Sequence, residues 1–381
     1  MKGSIRPLLE GGILVLLGAL LFRFPEASAQ AARKGVGLCL DLLVPSLFPF
    51  FVLSSLVIAT GLAGVCARPL ERIMGPLFGV GGPGAAALGL GLIGGYPVGA
   101  RTIAQLTEER VCTQAEANRL AKFCNNCGPA FFIGAAGVGV FGSKEAGFLL
   151  LGANLAAALV VGIAARWCEG GSLPNQRHTA RSVSFSTLAT ELPGCVRDGF
   201  SATLGVCAYV ILFSVLTALA EASGLLPLCA DALAALLPGE HTQALCRSLL
   251  SGLLELSTGT ASLSAATASP LALPLAAFLL GWGGLSVHCQ SLPFWRAAGV
   301  SVGPYLRAKF LQGLLAAGIT SLALWAFPLA LPTMAPAKPL SAPLPFGREM
   351  VLLWGLAGVS FFFCGKKGME KTEKTRYNRN P

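Results

Sequence analysis

Gly91-Leu-Ile-Gly-Gly-Tyr-Pro-Val-Gly-Ala-Arg101 is the stretch whose reading decides the fold. It follows Gly79-Val-Gly-Gly-Pro-Gly-Ala85, so the whole region is apolar, nearly uncharged and dense in glycine. Each Gly costs about 1 kcal/mol against Ala in a helix interior, and each Pro removes a backbone donor. At bilayer depth, backbone groups freed in this way are tolerated only where protein or a water-lined cavity satisfies them. The stretch therefore predicts a re-entrant or broken helix lining a site, the arrangement secondary transporters use. The competing reading is glycine-mediated close packing of unbroken membrane helices.

Composition supports a membrane setting. The 381 residues are 54% hydrophobic and only 12% charged, with a mean hydropathy of +0.68. Soluble domains carry roughly 25% charged residues, and no soluble core could hide this much apolar surface. The sequence predicts an all-α polytopic membrane protein. The formal net charge of +10 is unevenly placed. The tail from Lys366 carries Lys366, Lys367, Lys371, Lys374, Arg376 and Arg379 against Glu370 and Glu373, as a cytoplasmic anchor does under the positive-inside rule. No aromatic or folded platform accompanies it, so nucleic acid is not an expected partner.

Lys2 and Arg6 precede an apolar run over residues 8–24, followed by the small-residue stretch Pro25-Glu-Ala-Ser-Ala29. This resembles a signal cleavage site, but an uncleaved first span is the favoured reading. A second span covers about Leu42–Leu62, with Pro45 and Pro49 inside it, and a third covers Ala146–Trp167. Between them, Thr113 and Glu116 have capping-box spacing, so a helix should start there and run into a second interrupted segment, Phe123-Cys-Asn-Asn-Cys-Gly-Pro129. A polar linker follows over 169–194. Apolar runs resume at about 200–222, 244–263, 271–287, 308–331 and 350–364, with a Pro-rich loop before the last. The count comes to about ten membrane segments, some of them re-entrant, since a full span needs ~20 apolar residues.

The second half echoes the first. Gly91–Gly99 aligns with Gly252-Leu-Leu-Glu-Leu-Ser-Thr-Gly-Thr260, Asn125–Gly128 falls near Gly281-Trp-Gly-Gly284, and the spans ending in Trp167 and Trp325 correspond, all about 160 residues apart. Interrupted segments at matching places are the mark of transporter repeats. Chance matching among Gly-, Leu- and Ala-rich segments is the alternative.

Several polar residues in apolar surroundings are candidate binding groups. Glu255 lies within an apolar run, where a carboxylate is expensive and tends to face a cavity or a partner. It reads either as a coupling site or as a partner of Arg247 near a membrane edge. Asn125 and Asn126, beside Gly128 and Pro129, offer amides next to a helix start whose free N–H groups suit an anion. The same pair could simply cap broken helix ends. Gly95, Tyr96 and Pro97 mark the first break, and Tyr96 could stack on a flat solute. Arg101 and Lys122 flank the interrupted segments, as carboxylate ligands or as a cytoplasmic positive edge. Thr258 and Thr260 follow Glu255, and His288 and Gln290 sit in the matching second-half element.

The twelve cysteines are scattered as small hydrophobes. Cys124 and Cys127 have CxxC spacing without a second ligand pair, so neither a metal nor a cofactor is expected. No Walker, HExxH or GxSxG motif is present, which argues against ATP-driven pumping and hydrolase chemistry; the protein reads as a non-enzyme.

Gly94-Gly-Tyr-Pro-Val-Gly-Ala-Arg101, Glu116-Ala-Asn-Arg-Leu120, Phe123-Cys-Asn-Asn-Cys-Gly-Pro129, Phe132-Ile-Gly-Ala-Ala-Gly-Val-Gly139 and Gly283-Gly-Leu-Ser-Val-His-Cys-Gln290 together resemble the YlbJ-type sporulation integral membrane proteins. These belong to the nucleoside-recognition (Gate) group, related to concentrative nucleoside transporters. The resemblance spans about residues 35–330. The chain itself reads as an N-terminal span and loop (1–34), a first Gate-like repeat (35–168), the linker (169–194), a second repeat (195–331), the Pro-rich loop and last span (332–365) and the tail (366–381). Cys124 and Cys127 stand where the family pattern has Thr and Ser, and Gly94 where it has Ser.

The resemblance implies a multipass protein of endospore formation that moves dipicolinate, a flat pyridine dicarboxylate, across the outer forespore membrane. The expected partners are an anionic small molecule, the lipid bilayer and a coupling ion, either proton or sodium, with a homo-oligomer left open. A non-transporting membrane scaffold for cortex assembly, a nucleoside transporter and a thiol-redox membrane enzyme are the alternatives.

Overall fold

In the computed structural model, residues 5–169, 188–237, 239–327 and 329 are described. Among them there are helices and connecting turns but no strand. In chain order the α-helices are α1 (Ile5–Arg23), α2 (Pro25–Leu38), α3 (Val44–Ala59), α4 (Leu62–Phe78), α5 (Gly84–Gly94), α6 (Val98–Glu108), α7 (Gln114–Cys124), α8 (Lys144–Glu169), α9 (Leu188–Ala222), α10 (Leu225–Ala234), α11 (Thr242–Leu254), α12 (Leu256–Ser262), α13 (Ala272–Trp282), α14 (Gly284–Ala297) and α15 (Val302–Ala326). Two wider π-helical segments, Cys39–Leu43 and Phe131–Val140, interrupt the pattern.

Among the described residues, four helical stretches are long and apolar enough to cross a bilayer: Lys144–Cys168, Leu188–Ala222, Ala272–Ala297 and Val302–Ala326. The pair Glu10–Arg23 and Pro25–Asp41, bent by 96° where Pro25 starts the second helix, makes a fifth candidate. Four further apolar helices, Leu47–Ala59, Gly84–Gly94, Phe131–Val140 and Leu225–Ala234, are too short for a full span. Among the described residues, the expected membrane segments thus comprise four or five full-length candidates plus short apolar pieces. The linker 170–187, the Pro-rich loop, the last span and the basic tail lie outside the described residues. Helix α9 starts at Leu188, so the end of the sequence-defined linker is already helical.

Large apolar side chains such as Leu14, Phe22, Phe148, Leu204 and Leu212 point outward, and Trp167 and Trp325 are exposed near helix ends. An apolar exterior with tryptophans at the ends of its spans matches a lipid-facing surface. Helix α4 differs. Its Glu71 and Arg72 are exposed while Met74 and Phe78 are buried, an amphipathic arrangement.

Burial identifies the central element. In Ala272–Ala297, 78% of the apolar window is buried, against 39–44% in the other three long stretches. Around α13, Leu273, Leu279 and Leu280 pack with Phe132 of the second π segment, Phe141 just after it, Leu150 and Ala157 of α8 and Ala316 of α15. A second cluster joins Ile103 and Leu106 of α6, Leu120 and Phe123 of α7, and Trp295 and Tyr305. Phe78 stacks on Phe123 at 4.7 Å between ring centres, with Gly162 of α8 making room for both rings.

Both interrupted segments are broken. Helix α5 stops at Gly94, Gly95 takes a left-handed φ of +79°, the Tyr96–Pro97 peptide is cis, and α6 starts at Val98. The Thr113–Glu116 capping box forms as its spacing predicts and starts α7, which ends at the extended Asn125. The two breaks cross. A methyl at Gly91 or at Gly99 would overlap the Cys124 carbonyl oxygen, and one at Gly95 would lie 2.7 Å from the Gly128 nitrogen. Backbone therefore meets backbone where only glycine fits. Gly99→Ala is expected to destabilise the protein by ~1–3 kcal/mol, as overpacking does, while Gly152→Ala, inside α8 and open to free space, should raise stability by up to about 1 kcal/mol. Thermal melting of the two purified variants in detergent checks this.

Candidate functional site

Two more breaks lie in the second half. Helix α11 ends at Leu254, Glu255 is extended, and α12 begins at Leu256. Helix α13 ends before Gly283, whose φ is +91°, and α14 begins at Gly284. These two breaks abut, since a methyl on Gly284 would stand 3.0 Å from the Leu256 nitrogen and from the Gly252 carbonyl oxygen.

Tyr96 joins the first pair of breaks to the second. Its Oη donates toward the Leu280 and Gly281 carbonyl oxygens at 3.2 and 3.3 Å, and its ring lies against Gly283. Those carbonyls belong to the last turn of α13, where a helix leaves its acceptors unpaired. Asn125 reaches the other way. Its Nδ2 donates to Ser291 Oγ at 3.1 Å and to Tyr305 Oη at 3.3 Å.

The network around Asn125 has a direction. Ser291 Oγ gives its proton to the Val287 carbonyl, so it accepts from Asn125. Tyr305 Oη also accepts from Asn125, and its single proton has two possible acceptors, His288 Nδ1 at 3.0 Å and Ser291 Oγ. With Nδ1 accepting, the neutral imidazole carries its proton on Nε2. That Nε2 is buried and has no hydrogen-bond partner, and the same holds for Asn125 Oδ1 and for Nε1 of Trp282, whose ring sits 4.3 Å from the His288 ring. Buried polar atoms are normally paired. His288 Nε2, Trp282 Nε1 and Asn125 Oδ1 are thus left over side by side in one connected cluster.

Lys309, on α15, is fully buried at 0% exposure beside them. Its Nζ donates to Gln312 Oε1 at 2.7 Å, to the Asn125 carbonyl at 2.8 Å and to Asn126 Oδ1 at 3.3 Å, and it lies 5.3 Å from the centre of the Tyr96 ring. Asn126 is held by its own Nδ2, which donates to the Phe123 carbonyl at 2.7 Å. Gln312 Nε2 donates to Asn126 Oδ1 at 2.9 Å. Among the described residues, no carboxylate takes part.

Sequence reasoning picked out Gly95, Tyr96, Pro97, Asn125, Asn126, Gly128 and His288, and the fold gathers these around the crossing breaks. It passed over Lys309, Gln312, Tyr305, Ser291 and Trp282. Lys309 had a legible signal, a lone ammonium inside the apolar run 308–331, which by itself marks a functional position.

The remaining candidates lie apart from this network. Glu255 is buried at 2% exposure, and its oxygens accept from Ser257 N, Thr258 N and Thr258 Oγ1, so it caps α12. Arg247, the partner weighed for it, instead pairs with Glu221. Thr260 is buried with its hydroxyl unpartnered, and Gln290 is buried on α14. Arg101 is buried but turned to α3, donating to Ser55 Oγ at 3.0 Å with its guanidinium 5.0 Å from the centre of the Phe51 ring. Lys122 is buried in the last turn of α7. Cys124 and Cys127 are free and buried, and among the described residues no group of three His, Cys, Asp or Glu could hold a metal.

Residues 42–144, which contain both first-half breaks, match the Gate family, described as nucleoside recognition. The sporulation integral membrane protein YlbJ of Bacillus subtilis (strain 168) is 32% identical over 345 residues, covering 84% of this chain and 83% of that protein. The chain belongs to this family of sporulation integral membrane proteins. No solved structure matches it. In this family member the first-half breaks fall inside the Gate region, while Lys309, Tyr305 and His288 come from outside it.

Replacing Glu255 by Ala is expected to cost about 0.5–2 kcal/mol through loss of the α12 cap. Arg247→Ala, which opens only a half-exposed pair, costs about 0–1 kcal/mol. Parallel melting curves separate the two.

Proposed function

We propose that the protein is a secondary transporter of a small anionic solute, dipicolinate in the family's setting, across the outer forespore membrane during endospore formation. The observation that carries this reading is the buried, carboxylate-free cluster at the crossing breaks. It combines an ammonium at Lys309, unpaired N–H donors at His288 and Trp282, and the Tyr96 ring. Such a set suits a flat ring bearing carboxylates, because the unpaired donors meet the oxygens, the ammonium beside them balances the charge and aromatic faces hold the ring.

The order of elements supports alternating access. Helix–break–helix, helix–break–π segment and one long helix run from α5 to α8. Helix–break–helix, helix–break–helix and one long helix run from α11 to α15. Two such repeats rocking about a central site would open it to each side in turn. The four short apolar helices, two of them at the breaks, then serve as re-entrant pieces, which brings the membrane segments among the described residues to eight or nine.

Labelled dipicolinate should enter vesicles holding the purified protein, and unlabelled dipicolinate should compete better than a nucleoside. Asn126→Ala and His288→Ala should each lower uptake at least tenfold, about 1.4 kcal/mol. Unchanged uptake in both variants would remove the site assignment. Competition by nucleosides alone would favour the solute named in the Gate description.

A further inference from the structure

The oxygens around Lys309 are arranged like a cation site. The Asn125 carbonyl is released where α7 ends, at the negative end of that helix. Asn126 and Gln312 are each fixed through their NH2 groups, so both amide oxygens face the same point. Three neutral oxygens directed at one spot beside a broken helix are what transporters offer to a coupling ion. Here the ammonium occupies that spot, 2.7–3.3 Å from all three.

The titratable groups facing it are Tyr96 from the first break, Cys124 and Cys127 from α7 and its break, His288 from α14 and Tyr305 from α15 itself. Helix α13 carries no titratable group, and those of α8 sit only in its first and last turns. Glu255, the carboxylate nearest a break in the second half, is committed to capping α12.

We propose that Lys309 is a tethered coupling cation. Its ammonium fills the oxygen cage that a sodium ion would fill in a metal-coupled carrier, so the cycle runs on protons taken up and released at Nζ and is indifferent to sodium. This rests on the transport reading for its meaning in the cell, but the cage can be tested without any solute.

The test uses the purified full-length protein. Wild-type melting should be the same in sodium chloride and choline chloride at equal ionic strength. Lys309→Ala, which empties the cage, should melt lower in choline and recover as sodium or potassium rises, as mass action requires of a bound ion. Lys309→Met, which fills the space without charge, should show no such recovery. In vesicles, wild-type anion flux should follow an imposed pH gradient without sodium, and Lys309→Met should lose that response. Asn126→Asp sets a carboxylate against the ammonium and favours its protonated form, so the pH of half-maximal flux should rise by roughly 1–3 units. Should Lys309→Ala fail to fold, Asn126→Asp and the wild-type comparison carry the test. The proposal falls if sodium raises wild-type melting, if a folded Lys309→Ala ignores every cation, or if Lys309→Met keeps the pH response. Absence of any anion flux in the wild type would instead overturn the transport reading, with the melting comparison still deciding the cage.

Discussion

Where a helix stops inside an apolar bundle, the carbonyl oxygens of its last turn must find donors, and water is not there to supply them. The arrangement of this molecule follows from that requirement. Tyr96 Oη answers the carbonyls at the end of α13, and Lys309 Nζ answers the carbonyl at the end of α7. Each donor comes from the other half of the chain, so the breaks hold the halves together.

The glycines make this geometry attainable. Gly91, Gly95 and Gly99 let the first break lie directly on the second, and Gly284 does the same for the later pair. With the backbones in contact, the side chains at the crossing are forced inward. Asn125, Asn126, His288 and Tyr305 then form one hydrogen-bonded set that reaches α15. The set is satisfied on the Lys309 side and unsatisfied on the His288–Trp282 side. That asymmetry separates a cation cage from a donor-rich face within a single cluster.

Capping explains the polar residues that stand apart from it. Glu255 is expensive at bilayer depth, yet both of its oxygens are taken up by the start of α12. A carboxylate used in this way is a structural solution to a broken helix, and it leaves the electrostatics of the crossing positive. Arg101 likewise settles against Ser55 and Phe51 rather than at the breaks.

Local chemistry made much of this legible in the sequence. Apolar runs of span length, a capping box at Thr113 and Glu116, and Gly-Pro interruptions act within a few residues of themselves, so the sequence alone determined the membrane class, the start of α7 and the places where helices break. It could not say which breaks meet, because that depends on contacts between residues some 180 positions apart, such as Tyr96 with Gly281 and Asn125 with Lys309. Only the tertiary structure decided that Glu255 is a cap, that Arg101 faces away, and that the lone lysine of α15 is the charge at the centre. A side chain's role in an apolar bundle is set by which unpaired backbone group it is brought against, and packing alone fixes that.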